Sequence, residues 1–131
     1  MNLVDANVVL CLLVEGREQQ RTSAITYLEA LDEPAVITES VLVEVCWALE
    51  AHYRFERAFA ARAVRDLAQT RSLTLWDPAT GSAALRVVER WPKLAVADAL
   101  LLVRARSSGA EVLTFDRELQ AHLNAESGTS S

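Results

Sequence analysis

Two cysteines, one lysine, four glycines and three prolines are all that 131 residues contain of these types, and each scarcity excludes something. Cys11 and Cys46 lie in separate apolar runs with no Cys-x-x-Cys or Cys/His spacing. That argues against a zinc site or a disulfide and for buried, reduced thiols. There is no glycine-rich phosphate loop, no internal repeat and no interdomain linker. Long hydrophobic runs are missing too: Val8–Val14 and Ala99–Val103 are far too short to span a bilayer. Met1 leads almost directly into a strand-like segment, without the basic region and cleavage site of a secretory signal. The expected setting is cytoplasmic, with no membrane partner.

Positive charge is also in short supply. Eighteen acids face 13 bases, giving a net charge of −5, whereas a protein that held nucleic acid by charge alone should be basic. Negative charge gathered in one place could instead be offset by a divalent cation. Twelve of the 13 bases are arginine, which suits phosphate contacts, although genomic base composition is explanation enough. Arg54, Arg57, Arg62 and Arg65 fall along one helical segment and are read as a solvated face.

What is present is a sizeable apolar fraction, 51%, with 24% charged residues, enough to build one soluble domain with its own core. The folded unit is expected over residues 1–124, and 125–131 as a disordered polar tail. Strand-like and helix-like segments alternate. Asn2–Val4, Ala35–Thr38, Leu73–Trp76 and Glu111–Phe115 read as strands. Helical patterns cover Asn7–Val14, Gln20–Leu31, the segment holding Glu44, Glu56–Thr70, Ala83–Trp91, the segment from Asp98 towards Gly109, and a short helix to Leu123. Trp47 and Trp91 are expected in the core. His52 and His122 sit on polar helix ends as surface residues. Such alternation implies an α/β fold with a mostly parallel sheet covered on both faces, whose ligands bind beyond the carboxyl ends of the strands.

Four acids stand where apolar runs are interrupted or end: Asp5, Glu44, Asp98 and Asp116. Asp5 and Asp116 each follow a strand and precede a helix, a common position for an N-cap. Asp98 can serve a helix N-terminus, where the dipole favours an anion. Glu44 is harder to explain, because Val43, Val45, Cys46 and Trp47 are apolar and no base lies one turn away. Parallel topology can bring all four to one edge of the sheet.

The stretches that carry these acids, "VDAN", "SVLVEVCWAL", "ADALLL" and "VLTFDREL", resemble the ordered motif set of PIN-domain ribonucleases, in particular the toxins of VapBC-type toxin–antitoxin pairs. The resemblance covers nearly the whole chain. It implies a three-layer α/β/α sandwich, magnesium-dependent cleavage of RNA, inhibition by a cognate antitoxin protein and a homodimer. Carried over by position, the family's acidic quartet falls on Asp5, Glu44, Asp98 and Asp116, and its small polar neighbours on Asn7 and Thr114. The chain departs from the pattern after Leu123, where many relatives continue into another strand.

The residues suit that chemistry on their own terms. Carboxylates without cysteine or histidine select Mg²⁺, or Mn²⁺, over zinc. Asp5, Asp98 and Asp116 are the expected metal ligands. Glu44 binds metal or positions the attacking water, and Asn7 and Thr114 orient carboxylates. Two other classes compete. A phosphoacceptor receiver domain needs an acidic pair at the first strand and a late lysine after a strand, and Lys93 has no strand before it. A catalytically silent PIN-like binding module, with the acids as helix caps, is the stronger rival.

Overall fold

The computed structural model describes residues 1–129. Three extended segments lie side by side, all parallel. Leu3 pairs with Val36, and β1 (Ala35–Ile37) pairs with β2 (Leu73–Leu75) in the register Ala35 to Leu73 and Ile37 to Leu75. The Val4 N–H donates to Val36 O at 3.1 Å and the Val36 N–H to Asn2 O at 2.7 Å, so β1 is bonded along both edges. Its alternation places Ala35 and Ile37 in the core. The fold is α/β, helix-rich, with a small parallel sheet.

Parallel neighbours need crossovers, and each is a pair of helices. Between Leu3 and β1 run α1 (Ala6–Leu13) and α2 (Glu18–Glu29); between β1 and β2 run α3 (Glu39–Ala51) and α4 (Arg57–Leu67). After β2 come α5 (Pro78–Arg90), α6 (Val96–Ser108) and α7 (Arg117–Thr129). Local chemistry sets their limits. Asp5, Thr38 and Asp77 cap α1, α3 and α5 by accepting backbone N–H groups, and Pro78 stands at the first position of α5. Gly109, in the left-handed region at φ 73°, closes α6. Leu42, Leu49, Leu73, Leu85, Leu94 and Leu102 are fully buried in one core cluster to which α3, β2, α5 and α6 all contribute.

Several expectations are corrected. Glu111–Phe115 is not a strand: no ladder bonds form, and Leu113 stands 96% exposed beside a fully exposed Phe115. The period-two alternation survives, with Val112 against the core, but the backbone is engaged elsewhere. Thr114 O accepts the Gln120 Nε2 bond at 2.7 Å, and Thr114 Oγ1 accepts the Asp116 N–H at 3.0 Å, tying this segment to α7 rather than to a neighbouring strand. The α5 helix begins at Pro78, five residues earlier than its apolar spacing suggests, because Asp77 caps it. Trp47 lies 58% exposed on α3, and Trp91 is also exposed. The arginine stripe is not a free face. Arg65 grips Glu89 through Nε at 2.6 Å and Nη2 at 3.0 Å, fastening α4 to α5, and Arg57 is consumed by contacts described below. Helix α7 continues past Leu123 to Thr129; of the expected tail, Ser130 and Ser131 lie outside the described residues.

Both cysteines are buried and free. Burial, with a smaller push from the Glu50 charge, drives the Cys46 thiol up to about 12, so it behaves as a small hydrophobe.

The core makes one contrast measurable. Leu85 is fully buried and Leu101 is 48% exposed. Leu85→Ala is expected to cost about 2–5 kcal/mol, and Leu101→Ala no more than about 0.5 kcal/mol. Urea melts of the two variants check this.

Candidate active site

Because the extended segments are parallel, their carboxyl ends share one edge. Asp5 follows the Leu3 segment, Thr38 and Glu39 follow β1, and Asp77 follows β2. Asp5 Oδ1 accepts the Val8 N–H at 3.2 Å, which pins the carboxylate at the start of α1. Asp116 repeats the device at α7: its Oδ1 accepts the Leu119 N–H at 2.8 Å. In each case the cap uses one carboxylate oxygen and leaves Oδ2 unclaimed by that bond. Capping and ligation therefore do not compete at these residues.

Asp98 is different. It is the third residue of α6, whose capping position is Ala95 and supplies no side-chain bond. The Asp98 carboxyl is half-buried, and three influences act on its proton. Burial raises its pKa, the nearby Asp116 charge raises it further, and the Arg57 guanidinium pulls it down. Asp98 and Asp116, 18 residues apart in sequence, are thus brought within electrostatic reach.

Glu44 lies exposed on the second turn of α3. It lines a cleft of about 290 Å³ with Asn7, Arg17, Trp47 and His52. A second cleft, of about 660 Å³, holds Asp5, Asn7, Arg17 and Tyr27. Asn7 and Arg17 belong to both. Asp98 and Asp116 are thus within electrostatic reach of each other, while Asp5 and Glu44 line separate clefts that share Asn7 and Arg17. Among the described residues, no three His, Cys, Asp or Glu side chains come together as a metal-binding group.

Arg57, read from the sequence as part of a solvated face, and Arg104, which the sequence did not single out, hold this region in place. Arg57 Nε donates to Glu50 Oε1 at 2.9 Å, and its Nη1 reaches Pro92 O at 3.0 Å and Lys93 O at 3.2 Å. It clamps the end of α3 to the loop that leads into Asp98. Arg104 of α6 bonds Glu39 and stands 3.6 Å from Asp77, bridging the ends of β1 and β2. Hydrogen bonds from Thr80, and then the Arg104 charge, hold the Asp77 carboxyl below the usual carboxylate range. The sequence signal for Arg57 was its place in the arginine stripe, which does not reveal that it turns inward to Glu50 and the loop before α6.

This layout has acids at the carboxyl edge of a parallel sheet, with two of them paired at the first turns of adjacent helices. The PIN domain family model matches residues 3–123, nearly the whole of it. The chain belongs to the PIN domain family. PIN domains are generally nucleases, hydrolases that typically use divalent metals, and a nuclease-type function follows for this PIN domain in those general terms. No curated protein and no solved structure gives a significant match. No helix among the described residues is long and apolar enough to cross a membrane.

The Asp98 shift has a testable sign. A carboxyl whose folded pKa is raised above its unfolded value contributes stability below the unfolded value and loses it as pH rises through the folded one. Asp98→Asn, which cannot ionise, should therefore melt higher than the parent at pH 7 in chelator. The gap should close as pH falls towards the ordinary carboxylate range. Thermal melts across pH 3.5–7 measure it, and a variant that melts lower at pH 7 contradicts the electrostatic account.

Proposed function

We propose that this PIN domain is a magnesium-dependent endoribonuclease and the toxin of a VapBC-type toxin–antitoxin pair. The observation that carries the reading is the PIN family match over residues 3–123, together with the placing of Asp98 in α6 and Asp116 at the start of α7, two helices that pack together. Two carboxylates whose like charges oppose each other favour a cation between or beside them.

The donor chemistry fits Mg²⁺ or Mn²⁺: every candidate ligand is a hard carboxylate oxygen. Asp98 and Asp116 would hold the ion, and Asp5, which does not gather with them into a three-residue group in this structure, would contribute through water. A bound divalent ion supplies charge to the scissile phosphodiester and acidity to the attacking water. The chain supplies the rest. Glu44, exposed and without an ion pair among the described residues, accepts the proton of the water that attacks phosphorus. Asn7, between the Asp5 and Glu44 clefts, orients the Asp5 carboxylate. Thr114 holds the backbone of Asp116 through its 3.0 Å hydrogen bond and so fixes where that carboxylate starts. In-line attack then displaces the leaving ribose oxygen, which takes its proton from solvent.

The capping bonds of Asp5 and Asp116 are compatible with this scheme, since each leaves a carboxylate oxygen over. The antitoxin is read as a small protein that covers the acidic edge, with a basic side chain standing where the cation would sit. The toxin itself is read as a homodimer.

Purified protein should cleave RNA in Mg²⁺ or Mn²⁺ and not in chelator. Asp98→Asn should reduce cleavage to background, and Asn7→Ala and Thr114→Ala should each lower activity by about 10–100-fold. Cleavage that persists in chelator, or is untouched by Asp98→Asn, defeats the metal-dependent mechanism.

The toxin assignment has its own test. Co-expression with the product of the adjacent reading frame, followed by affinity capture, should yield a complex in which cleavage is suppressed. Absence of a complex removes the toxin assignment and leaves the nuclease standing.

A further inference from the structure

The turn between α1 and α2 sets two arginines to different uses. Gly16, at φ 91°, reverses the chain and places Arg17 at the head of α2, with Arg21 one turn further along. Arg21 is fully employed. Its Nε donates to Cys11 O at 3.0 Å and its Nη2 to Val14 O at 2.6 Å, satisfying carbonyls at the end of α1. The Arg17 side chain makes no hydrogen bond or ion pair among the described residues, yet the residue is half-buried and lines both clefts that flank Asn7. A half-buried guanidinium with an idle fork of donors, in a chain of net charge −5, is a place for an external anion.

The walls on either side suggest what kind. On the Glu44 side stands Trp47, 58% exposed, with His52 edge-on to its ring at 5.0 Å. That contact leaves a broad indole surface beside the arginine, propped by a second ring. On the Asp5 side the lining is Gln19, Gln20 and Ser23, side chains that both donate and accept hydrogen bonds, with the exposed Tyr27 beyond them. A cation for a phosphate, a flat ring for a base and amides for base edges together form the chemistry of single-stranded nucleic-acid binding. A base paired in a duplex is stacked on its own neighbours and cannot lie on the indole.

We infer that the two clefts joined at Arg17 are the track for single-stranded RNA, with Arg17 holding a backbone phosphate between Asp5 and Glu44 and Trp47 stacking the base beside it. This rests on the nuclease reading and names the side chains of this chain that would hold its substrate, with the RNA entering across α1, α2 and α3. An acidic protein segment could also meet Arg17, but it has no use for an exposed indole or for the amide row.

Binding can be measured apart from cleavage. A short single-stranded oligoribonucleotide, titrated in chelator at low salt, should quench tryptophan fluorescence, and a blunt hairpin of the same composition should bind more weakly. Arg17→Ala should weaken binding by about tenfold and flatten its salt dependence by about one counterion. Trp47→Ala should weaken it by about tenfold and abolish the quenching, while Trp47→Phe keeps most of the affinity. Arg71→Ala, an exposed arginine before the amino end of β2, should change nothing beyond a small uniform loss. Melting temperatures near the parent's confirm that the variants are folded. The inference is overturned if the parent does not bind the single strand, if Arg17→Ala and Trp47→Ala bind like the parent, if the hairpin binds equally well, or if polyglutamate quenches as strongly as RNA. Should this binding pattern hold while no cleavage occurs in Mg²⁺ or Mn²⁺, the track stands and the nuclease reading falls.

Discussion

Everything in this fold follows from the backbone of Ala35–Ile37 being bonded on both sides to parallel neighbours. A parallel neighbour cannot be reached by a tight turn, so the chain must travel the length of the sheet outside it, and helices are the compact way to do so. The same constraint makes all the carboxyl ends face one way. Asp5, Thr38 and Asp77 therefore begin their helices along a common edge, although 72 positions separate the first from the last. The acidic edge is a consequence of topology before it is a consequence of any side-chain contact.

Charge on that edge is divided between structure and function. The Glu39–Arg104–Asp77 cluster is internally balanced and joins α6 to the strand ends. Arg57 neutralises Glu50 and fixes the approach to α6, while its charge partly offsets the cost of ionising Asp98. Asp5 and Glu44, with no ion pair among the described residues, and the opposed Asp98 and Asp116 are what remain. Arg17, whose side chain makes no ion pair among the described residues, stands between the clefts of Asp5 and Glu44.

The sequence made the helices legible because their signals are local. Apolar spacing located α1 through α4 to within a few residues, and strand-like runs located β1 and β2. The start of α5 lies ahead of its apolar spacing because Asp77 and Pro78 open the helix by capping, a signal that periodicity does not carry. The Glu111–Phe115 segment has the right alternation for a strand, but pairing depends on whether a neighbour is present, and here Thr114 is held by α7 instead. Trp47 failed for a related reason: an apolar type shows preference for burial, not whether another element covers that face. The acids were visible as anomalies, and Asp5 and Asp116 as caps. That Asp116 comes within electrostatic reach of Asp98 was not visible, because it depends on where α7 docks.

That docking sets a hierarchy of openings. Among the described side chains of α7 only Leu119 is fully buried, and the helix meets the body chiefly at α6, with an unpaired segment leading into it. An element held by so little apolar contact opens at a free-energy cost well below that of the whole domain. Asp116 rides on this helix, while Asp98 is anchored in the core through Val96, Ala99 and Leu100. One half of the carboxylate pair can therefore come and go while the other stays in place. The pair thus depends on the docking of α7 by Leu119, with Leu123 and the contact of His122 with Trp91 beside it.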